Sequence, residues 1–366
     1  MKLAVYTIGR LEVPSTRFRI LQYLPYFEKE GIEVRVFSLP SPRGGKLVQG
    51  WGILTQAFVR LWQFSFLKKY DVILIQKGLT PWRCRGLLRL LVKSGKPFIY
   101  DIDDAVYLEN DLRLPVFLRV LQDDGEPLKL IRAAAHVIAG NPHLADFAGN
   151  HNSRLTIIPT AIDTEKYSIG IPEQSPGLVI GWSGSSSTNT FVNQLIPVLN
   201  RLAETHRFTF HVISNDVRNI RTGEMKGFEF RFFEWNDRTE VENLKKIHVG
   251  VMPLKDDPWA RGKCALKALQ YMALALPTVV SPVGVNTNII QDGVNGFLAG
   301  PPNEWYGKLK CLLDSSELRQ RVGRAARATV EKGYSLQVNF SLFRKVLENP
   351  ESSANPKRPL ETAGRS

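Results

Sequence analysis

DDPWARGKCALKALQYMALALPTVVSPVGVN, running from Asp256 to Asn286, is the stretch that decides how this chain is read. A loop of two aspartates, a proline and a tryptophan leads through Arg261, Gly262 and Lys263 into about three turns of helix. At roughly 100° per residue, Lys263, Lys267 and Gln270 fall on one narrow stripe, and Leu266, Leu269, Met272, Ala273 and Leu276 cover the remainder. A helix start with added Arg and Lys favours a polyanion such as a diphosphate, because its N–H groups and macrodipole point the same way. Pro277 stops the helix, and Thr278 to Val283 read as a buried strand. A buried helix with two solvated lysines is the plainer alternative; Arg261, Gly262 and the DDPW loop argue for a ligand site.

Outward from this stretch, strand-like runs alternate with amphipathic segments. Leu3 to Ile8 precedes a helix over Thr16 to Glu30, Glu33 to Leu39 is a strand, and Gly44 to Gly52 reads as a loop before a helix over Ile53 to Lys69. Val72 to Gln76, a helix near Trp82 to Val92, and strands Pro97 to Asp101, His136 to Ala139 and Leu155 to Ile158 follow. Ile169 to Gly177, IGIPEQSPG, is the linker candidate. Beyond it come strands Leu178 to Trp182, Phe208 to Ile213, Phe228 to Phe233 and Val249 to Leu254, with helices over Thr190 to Glu204 and Thr239 to Lys246. Three helices close the chain, over Glu304 to Leu313, Glu317 to Lys332 and Leu336 to Leu347. Alternation at this spacing predicts an α/β protein of βαβ units with parallel sheets.

The expected domains are 1–168, 178–335, a C-terminal helix over 336–349 that could return to the first domain, and a disordered tail over 350–366. A chain of 366 residues exceeds one ordinary core, which also favours two domains. Cys84, Cys264 and Cys311 have neither metal nor redox spacing, so a reducing cytoplasm is the expected setting. A net charge of +13 favours an anionic partner. Nucleic acid is the weakest such reading, because the cations are dispersed and no recognised module is present. Trp51, Trp62 and Trp82 with Arg60, Arg83, Arg85 and Arg89 suggest peripheral contact with a membrane, with core aromatics and surface charge as the alternative.

In doubly wound sheets, sites lie beyond the carboxyl ends of strands. After the first strand, GRLEVPSTRFR brings Arg17 and Arg19 forward as an anion-docking loop, against an ordinary capped helix. Asp101, Asp103 and Asp104 end another strand, suited to sugar hydroxyls or a metal, or simply solvated. Gly184 and Ser185 open a small-residue loop suited to phosphate, although no G-x-x-x-x-G-K-[ST] motif is present. Asn286 follows Gly284 where backbone amides could meet a ligand.

IPTAID (Ile158 to Asp163), IGWSGS (Ile180 to Ser185) and VGVMPLKDDPWARGK through NGFLAG (Val249 to Gly300) resemble the family 4 GT-B glycosyltransferases, in the branch carrying D-P-W-x-R-G-K and L-Q-Y-M-A. The resemblance spans about Met1 to Leu347. It implies two Rossmann-like domains with parallel sheets facing a central cleft, and retaining, metal-independent sugar transfer with no cofactor besides an NDP-sugar donor. A glycan or lipid-linked acceptor would bind the first domain, in surface polysaccharide or glycolipid synthesis at the inner membrane face. It places the diphosphate near Gly184, Ser185, Arg261, Lys263 and Lys267, and the ribose near Gln270.

The departures from the family are specific. Gly262 and Gln270 stand where most members carry two glutamates, and Asp103 stands where many carry a histidine, with Asp104 kept. The usual Arg and Lys are missing from WSGSSSTN, leaving Arg261 and Lys263 to compensate, so the implied catalytic set is Asp103, Arg261 and Lys263. A nucleotide-sugar binding protein without transferase activity and a GT-B nucleotide-sugar epimerase are the alternatives.

Overall fold

The computed structural model describes residues 1–39, 46–108, 116–169 and 177–351. The proposed linker falls almost wholly outside these residues, as does the tail beyond 351. The chain divides into two compact units, Met1–Thr160 with the C-terminal stretch from Asn339, and Ala161–Val338.

The first unit holds β1 (Lys2–Thr7), β2 (Glu33–Ser38), β3 (Val72–Gln76), β4 (Phe98–Ile102), β5 (His136–Ala139) and β6 (Leu155–Ile157), in the order β2-β1-β3-β4-β5-β6. The second holds β7 (Leu178–Ser183), β8 (Phe208–Ser214), β9 (Glu229–Glu234), β10 (Val249–Met252), β11 (Thr278–Val280) and β12 (Phe297–Leu298), in the order β12-β11-β10-β7-β8-β9. All neighbouring strands pair in parallel. Parallel strands are joined by crossovers that cover both faces, so the central strands β3, β4, β5 and β10 are buried throughout. The edge strands β2 and β9 are exposed or half-buried over most of their length, as strands with one open side are.

In each sheet the chain lays strands first to one side and then to the other. Strand order reverses between β1 and β3 in the first unit, and between β7 and β10 in the second. The carboxyl ends of those neighbours diverge into separate loops, which leaves room for a ligand at each switch point.

Several helices differ from the sequence expectation for local reasons. Thr16 to Glu30 is not one helix but Pro14–Arg19, a 3₁₀ turn Leu21–Tyr23 and Leu24–Lys29. Pro25 has no N–H to donate backwards, so the chain restarts with it in a first helical turn. The expected loop to Gly52 is helical from Lys46, and that helix runs to Phe64 before a 3₁₀ turn at Leu67–Lys69. Thr190 to Glu204 divides into a 3₁₀ segment, Asn189–Gln194, and a helix, Ile196–Ala203, with Pro197 in its first turn. Helix Leu87–Lys93 starts only after Gly86, with Trp82 buried ahead of it. In the last helix, Leu336–Glu348, Phe340 and Phe343 pack on Tyr23 and Phe27 of the first unit with ring centroids 5.4–6.4 Å apart. Arg344 bridges Glu30 at 2.7 Å. No helix among the described residues is long and apolar enough to cross a membrane.

Candidate functional site

The second unit gathers the residues of the opening stretch at its switch point. β7 ends in Ser183, whose N–H donates to Tyr271 Oη at 2.7 Å, and Gly184 turns the chain away. A Cβ on Gly184 would overlap Lys267 Cε and lie 2.6 Å from the Trp182 ring. Only glycine therefore lets the Lys267 side chain lie across the turn. Lys267 Nζ stands 5.2 Å from the Trp182 ring centroid and donates to Thr188 Oγ1 at 3.3 Å. In the small-residue loop, Ser185 and Ser187 pair through their hydroxyls at 2.8 Å and both are exposed.

The stretch after β10 is not one helix. Asp257 caps a four-residue helix, Pro258–Arg261, accepting from Ala260 N–H at 2.8 Å. The chain then turns through Ala265 in the left-handed region, at φ +54°, into helix Leu266–Ala273, which no side chain caps at its start. An N-cap side chain would occupy first-turn donors, and none does so here. Gly284 (φ +56°) closes the other side. A Cβ there would sit 2.6 Å from Arg261 O, so the turn after β11 rests on the elbow between the two helices.

The predicted residues divide accordingly. Gly184, Ser185 and Lys267 meet beside the uncapped helix start. Lys263 Nζ lies 3.3 Å from the Trp259 ring centroid, a cation held on an aromatic face, with Trp259 in turn 6.4 Å from Phe191. Arg261 turns outward, 53% exposed, and is forked onto Asp256 at 2.7 and 3.1 Å. That pairing holds the Asp256 carboxyl below its usual range. The Asn286 side chain is buried and its amide donates to Ser281 O at 2.8 Å, tying off the strand end.

Gln270 is 3% exposed, and its Nε2 donates to Tyr167 Oη at 2.8 Å. Tyr167 Oη donates to Glu240 Oε2 at 3.0 Å, and Trp235 Nε1 donates to Glu240 Oε1 at 2.8 Å. An amide is required here, because a carboxylate at 270 could not donate to Tyr167 and would place a second negative charge near buried Glu240. Gln270→Glu is expected to destabilise the protein at pH 7 by about 2–3 kcal/mol. Much of the loss should be recovered at acid pH, where the new carboxyl is protonated. Thermal unfolding at both pH values checks this, and equal midpoints at pH 7 would dismiss the network.

At the first unit's switch point, Arg17 and Arg19, expected to be anion-docking arginines, are both buried. Arg19 is 2% exposed. Its Nε donates to Asp101 Oδ2 at 3.1 Å, its Nη2 contacts Asp101 Oδ1, and its Nη1 donates to Ile158 O at 2.6 Å. Burial raises the Asp101 carboxyl even so, with Arg19 pulling the other way. Arg17 is also buried, its guanidinium 5.1 Å from the Phe18 ring centroid. Lys77 stands at this end, at φ +66° just beyond β3, with Nζ 3.6 Å from Asp103 and 3.7 Å from Asp104. A lysine followed by Gly78 at a strand end was the signal available for it. Among the described residues, no group of three or more His, Cys, Asp or Glu side chains is gathered for a metal ion.

Beneath the Lys77–Leu79 turn lies Glu126, 2% exposed. Its Oε1 accepts from Leu79 N–H at 3.2 Å and its Oε2 has no hydrogen-bond partner. Burial pushes this carboxyl up to about 8 from an ordinary 4.5. A folded-state pKa above the unfolded value means stability that is complete below about 4.5 and lost as pH rises to about 8. Glu126→Gln should therefore be more stable than the parent at pH 8, by a few kcal/mol at most, and close to it near pH 4.5. Parallel thermal midpoints across that range would refute the buried acid.

With this geometry in place, comparison with known proteins places the fold. Residues 177–315 match the family model described as "Glycosyl transferases group 1". Sucrose-phosphate synthase from Thermosynechococcus elongatus superposes with a TM-score of 0.71 at 13% identity, covering 95% of this chain and 99% of that one. HepE of Anabaena, solved in complex with UDP and glucose, gives a TM-score of 0.65 at 16% identity, with 95% and 99% coverage. The architecture is that of the GT-B fold, two Rossmann-like units, and the match to the glycosyltransferase group 1 model falls within the second. In sequence, spore coat protein SA of Bacillus subtilis (strain 168) is 32% identical over 71 residues, and the match spans 19% of each chain.

Proposed function

We propose that the protein is a retaining glycosyltransferase, moving a sugar from a nucleoside-diphosphate sugar to a hydroxyl of a glycan or lipid-linked acceptor in surface polysaccharide or glycolipid synthesis. The observation that carries this reading is Lys267, laid over Gly184 beside the uncapped start of helix Leu266–Ala273. A diphosphate there would meet an ammonium and backbone N–H donors together. The match of residues 177–315 to a glycosyltransferase model and the UDP and glucose held by HepE point to the same ligand class.

In the reaction, the bond from the anomeric carbon to the diphosphate oxygen breaks as one forms to the acceptor oxygen. The acceptor proton passes to the departing phosphate. Lys267 and the helix start would hold the charge that develops on the leaving group, with Lys263 on its tryptophan face as a second cation. No metal or further cofactor is required by this scheme.

A second reading, nucleotide-sugar binding without transfer, draws support from Gln270 and Gly262. The chain carries no glutamate at either position, and Gln270 donates to Tyr167. Calorimetry with a panel of UDP-, GDP-, ADP- and dTDP-sugars, followed by product analysis with candidate acceptors, separates the two. Transfer establishes the enzyme, binding without product establishes the second reading, and no binding by any member refutes both.

A further inference from the structure

Over the described part of helix Lys46–Phe64, three large apolar side chains face outward, while Phe64 packs inward with its ring centroid 5.3 Å from that of Tyr6. Phe58, Leu61 and Trp62 are 69%, 41% and 63% exposed, whereas Gln56, Arg60 and Gln63 are 2%, 0% and 5% exposed. At about 100° per residue the three apolar side chains share one stripe with Thr55 and Ser65, and the polar three lie opposite. A helix that faces only water and a protein core has the reverse distribution. Trp62 continues into Phe66, edge to face at 5.1 Å, and Phe66 into Lys69, whose Nζ lies 5.1 Å from that ring.

The charge around this stripe has one sign. Between Lys46 and Pro97 the chain carries ten Lys and Arg residues and a single carboxylate, Asp71, whose Oδ2 already accepts from Lys2 N–H at 2.7 Å. Lys68 and Lys69 follow the apolar helix, and the adjoining helix Leu87–Lys93 exposes Arg89 and Lys93 along with Leu90 and Val92.

We infer that this face of the first unit docks on an anionic phospholipid surface, Phe58, Leu61 and Trp62 entering the interface while Lys68, Lys69, Arg89 and Lys93 meet the headgroups. Aromatic and aliphatic groups on one helix face with flanking cations are what binding in the plane of a bilayer requires. A second copy of the chain fits less well, because self-docking would bring these cations against their own kind. The inference is independent of the donor site: vesicle binding without nucleotide tests it, and nucleotide-sugar binding without vesicles tests the function proposed above.

The experiment is co-sedimentation of the full chain with phosphatidylcholine vesicles, with and without phosphatidylglycerol. Binding to the anionic vesicles should exceed binding to the neutral ones about tenfold or more and fall with added salt. Each cation near such a surface is worth about fivefold in partitioning, so Lys68→Gln with Lys69→Gln should lose about 25-fold. Phe58→Ser with Trp62→Ser should lose about tenfold or more and keep the parent's thermal midpoint, since both side chains are exposed. The charge pair provides a second test should the aromatic pair fold poorly. No binding, equal binding to both vesicle types, or parental binding by both double variants overturns the proposal. So does a dimer in solution that Trp62→Ser dissociates.

Discussion

Lys267→Ala is expected to lower kcat/KM for sugar transfer by about 10²- to 10³-fold, the effect of removing one well-placed donor to a developing oxyanion, about 3–4 kcal/mol. Alanine favours a helical first turn more than lysine does, so loss of folding is not the anticipated cause. The Lys267 side chain is held in place before any ligand arrives, by the Trp182 ring, Thr188 Oγ1 and the missing Cβ of Gly184. Preorganisation of this kind acts mainly on kcat, because the charge it meets is larger on the departing diphosphate than on the bound donor. Arg261→Ala is the informative comparison. Its guanidinium is 53% exposed and forked onto Asp256, so only a severalfold loss is expected. Steady-state kinetics with the donor identified by calorimetry decide the matter. A Lys267→Ala enzyme within about threefold of the parent would remove the diphosphate from this position.

Arg60→Met should cost about 3–5 kcal/mol of folding stability, the largest effect expected of any substitution away from the donor site. The guanidinium is fully buried and donates to Leu79 O (2.8 Å), Phe37 O (3.0 Å), Gln63 Oε1 (2.8 Å) and Thr7 O (2.9 Å). Its carbon lies 5.0 Å from the Tyr6 ring centroid, and burial lowers its pKa to about 9. One side chain thus joins the ends of β1 and β2 to the turn after β3, which is the first unit's switch point. Methionine fills similar space and leaves four oxygens without their donor. Arg60→Lys should rescue little, since a single ammonium cannot span acceptors arranged around a planar fork. Urea unfolding of the two variants against Phe58→Ser, which alters the exposed side of the same helix, gives the comparison. A midpoint for Arg60→Met equal to that of the parent would show that the buried fork is dispensable.

The readings that succeeded from residues alone rest on periodicity. Runs such as Val72–Gln76 and Val249–Met252 have no polar side to turn toward water, so parallel strands under helices follow from them. The closeness of Gly184 and Lys267, one in a small-residue loop at a strand end and the other a cation on a helix stripe, is consistent with their reading as diphosphate-binding residues. Arg19, Gln270 and Asn286 carried the same local signals and are buried in the protein's own hydrogen bonds, and Arg17 is buried beside Phe18. Composition cannot tell a cation aimed at a ligand from one aimed at Asp101, since both are an arginine in a loop beyond a strand.

The alternation of strands with helices and the α/β class of two parallel sheets were determined by the sequence itself, because hydrophobic period and turn chemistry act over a few neighbouring residues. Tertiary structure alone decided which polar groups face outward. Asp101 captures Arg19 across 82 positions of chain and Tyr167 captures Gln270 across 103, while Arg60 turns inward and leaves Phe58 and Trp62 outside. Those choices are made by partners distant in the chain, since a buried polar group goes wherever its hydrogen bonds can be completed.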